Sequence, residues 1–136
     1  MKTTTTKKTI RGILFLFLAF FFQQSFAADF YWVAGPGNWS DHGNHWATAT
    51  GGSIYHNQVP SPLDNVIFDG NSFTGSNQQV LADVDMFCYD MTWQSTISSG
   101  SILHMNNKIL TVGNDLLIQG GVKLQNGNII NIKGSF

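Results

Sequence analysis

Three groups of residues have the types and spacing to do chemistry. Asp41, His42 and His45 form a His-x-x-His pair beside a carboxylate, three groups of the kind zinc accepts. They lie in a Gly/Asn-rich stretch, where no predicted helix brings both imidazoles to one face, so surface-loop residues are the favoured reading. Asp64, Asn65, Asp69 and Asn71 offer oxygens that calcium accepts, yet no twelve-residue loop with a closing Glu surrounds them. Asx turns account for them more simply. Asp83 and Asp85, two apart, would share one face of a strand, as acidic pairs do in polysaccharide-cleaving enzymes. With no Arg or Glu after residue 27 to accompany them, the expectation is no catalytic residue, no metal site and no cofactor.

The densest stretch of aromatic residues runs from 30 to 46, FYWVAGPGNWSDHGNHW. Trp32, Trp39 and Trp46, with Tyr31, offer flat apolar surfaces with a polar edge, the form that stacks on a pyranose ring. The three Trp are therefore the candidate binding residues for an extracellular glycan. The favoured reading is that they pack as a cap over one end of the fold. Cys88 is the single cysteine and has no partner for an intrachain disulfide; it reads as a small buried apolar side chain.

The elements that must position these residues follow a leader. Lys2, Lys7, Lys8 and Arg11 precede the uncharged apolar run 13–22, and Ser25-Phe26-Ala27 places small residues before a cut after Ala27. Ten apolar residues span about 15 Å of helix against a hydrocarbon core about 30 Å thick, so a cleaved signal peptide is predicted rather than an anchor. Cleavage would leave about 109 residues with no further membrane span. Lys108, Lys123 and Lys133 would then stand against eight Asp, a formal charge of −5. An acidic chain without Arg lacks the means to neutralise phosphates, and nucleic acid is not an expected partner.

Beyond the leader no segment repeats apolar residues at helical spacing, and short β-prone runs alternate with Gly, Asn, Ser and Asp. Strands are predicted over 30–33, 65–68, 79–84, 89–93, 102–105, 109–112, 116–118, 122–124 and 129–132. ILTVGNDL (109–116) laid over IINIKGSF (129–136) matches apolar with apolar at an offset of twenty, with two short strands between. Met91 and Trp93 precede Leu110 and Val112 by nineteen, the hint of an earlier repeat. The predicted class is all-β: the start of a right-handed parallel β-helix, or β-solenoid, behind an aromatic-rich N-terminal cap. An antiparallel β-sandwich is the alternative. The predicted organisation is a signal peptide over 1–27, the cap region over 28–100 and the first coils over 101–136. No capping segment follows the strand that ends at 132, so a continuation of the solenoid at that edge, in a longer protein, is expected.

The order of landmarks carries a resemblance. YWVAGPGNWSDHGNHW (31–46), then VPSPLDNVIFDGNSF (59–73), then Cys88 with Met91 and Trp93, then stacked short strands, resembles the N-terminal region of large secreted surface proteins of Bacteroidetes. These are the adhesin-like and gliding-associated cargo of type IX secretion. Ala34 stands where that motif more usually has Gly, and no C-terminal sorting domain is present. The resemblance implies a secreted or cell-surface adhesion protein without catalysis of its own. A carbohydrate-binding module, joined to a polysaccharide-degrading enzyme, is the alternative.

Overall fold

The computed structural model describes residues 27–127 and 129–136; the predicted signal peptide therefore lies, except for Ala27, outside the described residues. Among the described residues no helix is long and apolar enough to cross a membrane. Twelve short strands and one helical turn follow in order: β1 (Asp29–Trp32), β2 (Gly37–Asn38), α1 (His42–His45), β3 (Trp46–Ala47), β4 (Asn65–Phe68), β5 (Gln79–Leu81) and β6 (Met86–Cys88). Then come β7 (Met91–Trp93), β8 (Ser101–His104), β9 (Ile109–Val112), β10 (Leu116–Ile118), β11 (Val122–Gln125) and β12 (Ile129–Ile132).

No two consecutive strands pair with each other, and from β4 onward the chain visits three sheets in rotation. The first sheet has the order β10-β7-β4-β1-β3, the second β11-β8-β5-β2 and the third β12-β9-β6. Eight of the nine strand pairings are parallel; the exception is β1 with β3. Alternation within each strand sends one set of side chains inward. Val66 and Phe68, Val80, Met86 and Cys88, Met91 and Trp93, Leu103, and Leu110 and Val112 are all buried in a single core. Because pairing is in register, like positions stack: Phe68 pairs with Trp93 and their rings lie 3.8 Å apart at 12°.

The expected all-β right-handed parallel β-helix is corrected by these pairings, and so is the antiparallel sandwich. The largest sheet is mixed, because Tyr31 pairs antiparallel with Ala47 and Trp32 with Trp46, and a helical turn precedes β3. The molecule is mostly β, with one mixed and two parallel sheets. The sequence reading missed this region because β2 and β3 are two residues each and α1 only four, below the length at which periodicity registers. The offset of nineteen is corrected as well. Met91 pairs with Leu116 and Trp93 with Ile118, whereas Leu110 pairs with Met86 and Val112 with Cys88. Strand β6, unpredicted, is what the sequence comparison lacked. The offset of twenty is a true pairing, Ile109 with Ile129. Parallel pairings also cross the boundary predicted at residue 100, joining β5 to β8, β6 to β9 and β7 to β10.

Corners between strands need tight reversals, and Asn supplies several of them. Asn77, Asn106, Asn107 and Asn126 have positive φ, which Asn tolerates better than most side chains. Successive corners are tied by backbone bonds, Asn107 N–H to the Asn126 carbonyl and Asn77 N–H to that of Ser99.

Candidate functional site

The aromatic segment is built around β1, α1 and β3. Ala34 and Gly35 both have positive φ, and this reversal turns the chain out of β1 so that Trp46 can meet both Trp32 and Trp39. Trp32 and Trp46 meet edge to face at 4.9 Å, and Trp39 and Trp46 at 4.7 Å. The Trp32 indole N–H donates to the Gly35 carbonyl at 2.7 Å and that of Trp46 to the Trp39 carbonyl at 2.8 Å. Trp39 Nε1 is buried without a partner. All three rings are 0% exposed, so their faces are occupied by protein and none is presented to a sugar.

The imidazoles turn inward too. His45 is buried and stacks on Trp32, 4.5 Å apart and at 5°. Its Nδ1 lies 2.7 Å from the Val33 carbonyl oxygen, which can only accept, so Nδ1 carries the proton. Its Nε2 faces the Asp41 carboxylate at 3.9 Å. Gly37 makes this stack attainable, since a Cβ there would fall within 3.0 Å of three ring atoms of His45. His42 Nδ1 contacts the His56 carbonyl at 3.3 Å, and His56 lies flat on Phe30 at 3.6 Å. The helical turn absent from the sequence reading thus brings His42 and His45 close in the chain yet aims their protonated nitrogens at different carbonyls. Among the described residues no cluster of three His, Cys, Asp or Glu could hold a metal ion.

Every one of the eight Asp side chains accepts a hydrogen bond from within the chain. Asp64 takes the Ala28 and Ser61 backbone N–H groups, and Asp69 that of Asn71 together with the Thr50 hydroxyl. Asn65 donates to Asp29, and Asn44 to Asp41. Asp90 accepts from the Asp115 N–H and the Asn114 amide, and Asp115 from the Ser135 N–H. The pair Asp83 and Asp85 is divided: both sit in the corner between β5 and β6 rather than on one strand face. Asp83 turns back to the Ser40 N–H and hydroxyl, while Asp85 turns forward to the Ile109 N–H. Five carboxylates therefore join backbone amides 20 to 43 residues away. A carboxylate on a short stem at a corner reaches a neighbouring strand's amide, whereas the extra methylene of Glu would overshoot. Of the calcium candidates, Asp64 and Asp69 accept hydrogen bonds through their carboxylates, whereas Asn65 and Asn71 donate from their amide nitrogens to Asp29 and Thr50, and Asn65 Oδ1 is buried without a partner.

Cys88 is buried in the core, and its thiol is pushed up to about 12, by burial first and by the Asp90 charge second. At neutral pH it is a protonated apolar group, not a nucleophile.

A partly exposed row of side chains lies on the outer face of the mixed sheet. Register lines up Tyr31, Ile67, Thr92 and Leu117 across β1, β4, β7 and β10, with Asp29 and Asn65 in the adjoining row. The Tyr31 hydroxyl is pushed up, by burial first and then by the charges of Asp29 and Asp69, so it stays a donor. Sequence reasoning passed over Tyr31 in favour of the three Trp; the alternation in Phe-Tyr-Trp, which puts Tyr31 opposite its two neighbours, was the available signal. No family model, curated protein or solved structure matches the chain.

Proposed function

We propose that this chain is an exported structural and adhesion-type module of a secreted or cell-surface protein, without catalysis of its own. The observation that carries the reading is the commitment of all eight carboxylates to internal hydrogen bonds, most of them ties between one pass of the chain and another. Acid groups held this way stiffen a framework and are not free to exchange protons with a substrate. Export rests on the basic and apolar leader, and the surface setting on the resemblance of residues 31–46 and 59–73 to secreted Bacteroidetes proteins. The test is to express the full chain in a host that secretes it, sequence the N-terminus of the product, and measure the retention of coated beads on cells and on glycan surfaces. A product starting at Ala28 whose beads are retained supports the reading. A chain kept in the cytoplasm with Met1 intact, or beads that adhere to nothing, overturns it.

A glycan-binding module is the second reading, and Tyr31 favours it. Its partly exposed ring shares the outer face of β1 with Asp29, two residues away, which sets a flat apolar surface beside a polar group as a sugar requires. Loss of glycan retention in a folded Tyr31→Ala variant would support that reading; unchanged retention would remove it.

A further inference from the structure

Two of the eight carboxylates are buried, Asp64 at 5% exposure and Asp69 at 6%. Among the described residues no Lys or His side chain is in ion contact with either of them; the one such contact joins His45 to Asp41. A carboxylate that deep is normally opposed by a cation, because neutral donors return only part of the hydration it has lost. The two differ in where their partners lie. Asp69 accepts from the Asn71 N–H and the Thr50 hydroxyl, well inside the chain. Asp64 takes the Ser61 N–H and hydroxyl on one oxygen, and its other oxygen takes the Ala28 N–H at 3.1 Å.

Ala28 is the residue that the predicted cut would make the first of the chain. The sheet sets its position: the parallel register that pairs Asp29 with Asn65 carries residue 28 alongside residue 64, and the Ala28 carbonyl accepts the Asn65 N–H at 2.8 Å. Ala28 packs on the core with part of its surface uncovered, whereas Ala27 is exposed. The bond between them therefore leaves the fold at its surface.

We propose that removal of the leader completes the fold, by turning the Ala28 amide into an α-ammonium that docks on Asp64 as its counter-ion. Hydrolysis by the signal peptidase of the exporting cell breaks the bond from the Ala27 carbonyl carbon to the Ala28 nitrogen; water gives its OH to that carbon and its H to that nitrogen. An α-amino group titrates at about 7.7 to 8.0, so at neutral pH the nitrogen also takes a proton from solvent. One neutral donor becomes three donors carrying a full positive charge, in the same place. In the precursor Asp64 is held by neutral groups alone, and in the product it is half of an ion pair, whose charge-assisted bonds are roughly twice as strong as neutral ones. The position is exacting, since a cut one residue earlier keeps a neutral amide at residue 28 and a cut one residue later removes the donor. Stability thus depends on processing, and tight folding follows export.

The inference rests on the export reading, and N-terminal sequencing of the secreted product keeps the two apart. The parent, secreted and beginning at Ala28, is compared with a variant carrying Gly-Ser inserted between Ala27 and Ala28, whose product keeps an amide at residue 28 and moves the ammonium two residues away. In urea titrations the insertion should lower the folded-to-unfolded ratio by at least about tenfold, because one charge of a buried pair is withdrawn. In an Asp64→Asn background the same insertion should change that ratio by less than about twofold. A reagent that acylates amines at neutral pH should modify the Ala28 α-amine at least about tenfold more slowly than that of the inserted variant, since pairing holds it protonated. This last readout decides should Asp64→Asn fail to fold. Equal stability of the two products, an equal loss in both backgrounds or equal acylation rates overturns the inference and leaves export standing. A product that begins at any other residue, or a chain retained with Met1, overturns the export reading and this inference with it.

Discussion

The two ends of the molecule solve the same problem with different side chains. Where β1, β2 and β3 close one end, Trp32, Trp39, Trp46 and Phe30 fill the space and His45 and His56 stack beneath and beside them. Where β10, β11 and β12 form the other, Leu, Ile and Val cover the core from one side only. An indole buries far more area than an aliphatic side chain and also carries a donor, which for Trp32 and Trp46 is met by the Gly35 and Trp39 carbonyls and for Trp39 is left without a partner, so rings finish this core at the cost of a specific local geometry. Aliphatic layers need no such fittings and are finished by stacking another layer. The capped end is therefore specific and intolerant of change, and the aliphatic end is regular and tolerant.

The largest separation between the ends should come from truncation. Trp46→Ala removes a fully buried ring that touches Trp32, Trp39 and Phe68 and should cost about 3 to 5 kcal/mol, whereas Leu124→Ala, at a 42% exposed position, should cost under about 1 kcal/mol. Urea unfolding of both variants checks this, and similar costs would break the comparison. Next comes Gly37→Ala, which drives a methyl into the His45 ring and should cost about 1 to 3 kcal/mol. Combined with His45→Ala, which opens that space, the cost should be clearly less than additive in a double-mutant cycle. Additive costs would mean that the stack on Trp32 does not constrain Gly37.

A gain is expected at Ala34, whose φ of 66° is left-handed. Ala34→Gly should raise stability by about 0.5 to 1 kcal/mol, the strain relieved less the added freedom of the unfolded chain. The smallest effect at neutral pH belongs to Cys88, midway between the ends. Its thiol is pushed up from 9.0 to about 12, so the folded state holds the proton more tightly than the unfolded state. Its contribution to stability is complete below about pH 9 and is lost as pH rises towards about 12. Cys88→Ala should flatten that decline in thermal melts between those values. An unchanged slope would assign the alkaline loss to other groups.

Much of the framework was legible along the chain. The strands at 65–68, 109–112, 116–118 and 129–132 stand where alternation put them, because a strand with one buried face writes its period of two directly into the sequence. The capped end was legible in composition only. Its strands β2 and β3 are two residues each, too short for any period, although the second of them carries Trp46 against Trp32 and Trp39. The candidate chemistry was misleading for a related reason. The two-residue spacing of Asp83 and Asp85 marks one face only on a straight strand, and the chain turns a corner there. The eight carboxylates gave no sign of their partners, which lie up to 43 residues away.

Composition and order alone thus determined the β character, the acidic charge beyond residue 27, the buried Trp-rich segment and the pairing at an offset of twenty. Each is local, written in residue types or in a repeat short enough to see. Only the tertiary structure decided that the largest sheet is mixed, that Met86 rather than Met91 lies beside Leu110, and that every Asp is bound internally. Those outcomes depend on which strands meet across the corners, and the corners are set by packing among residues far apart in the chain.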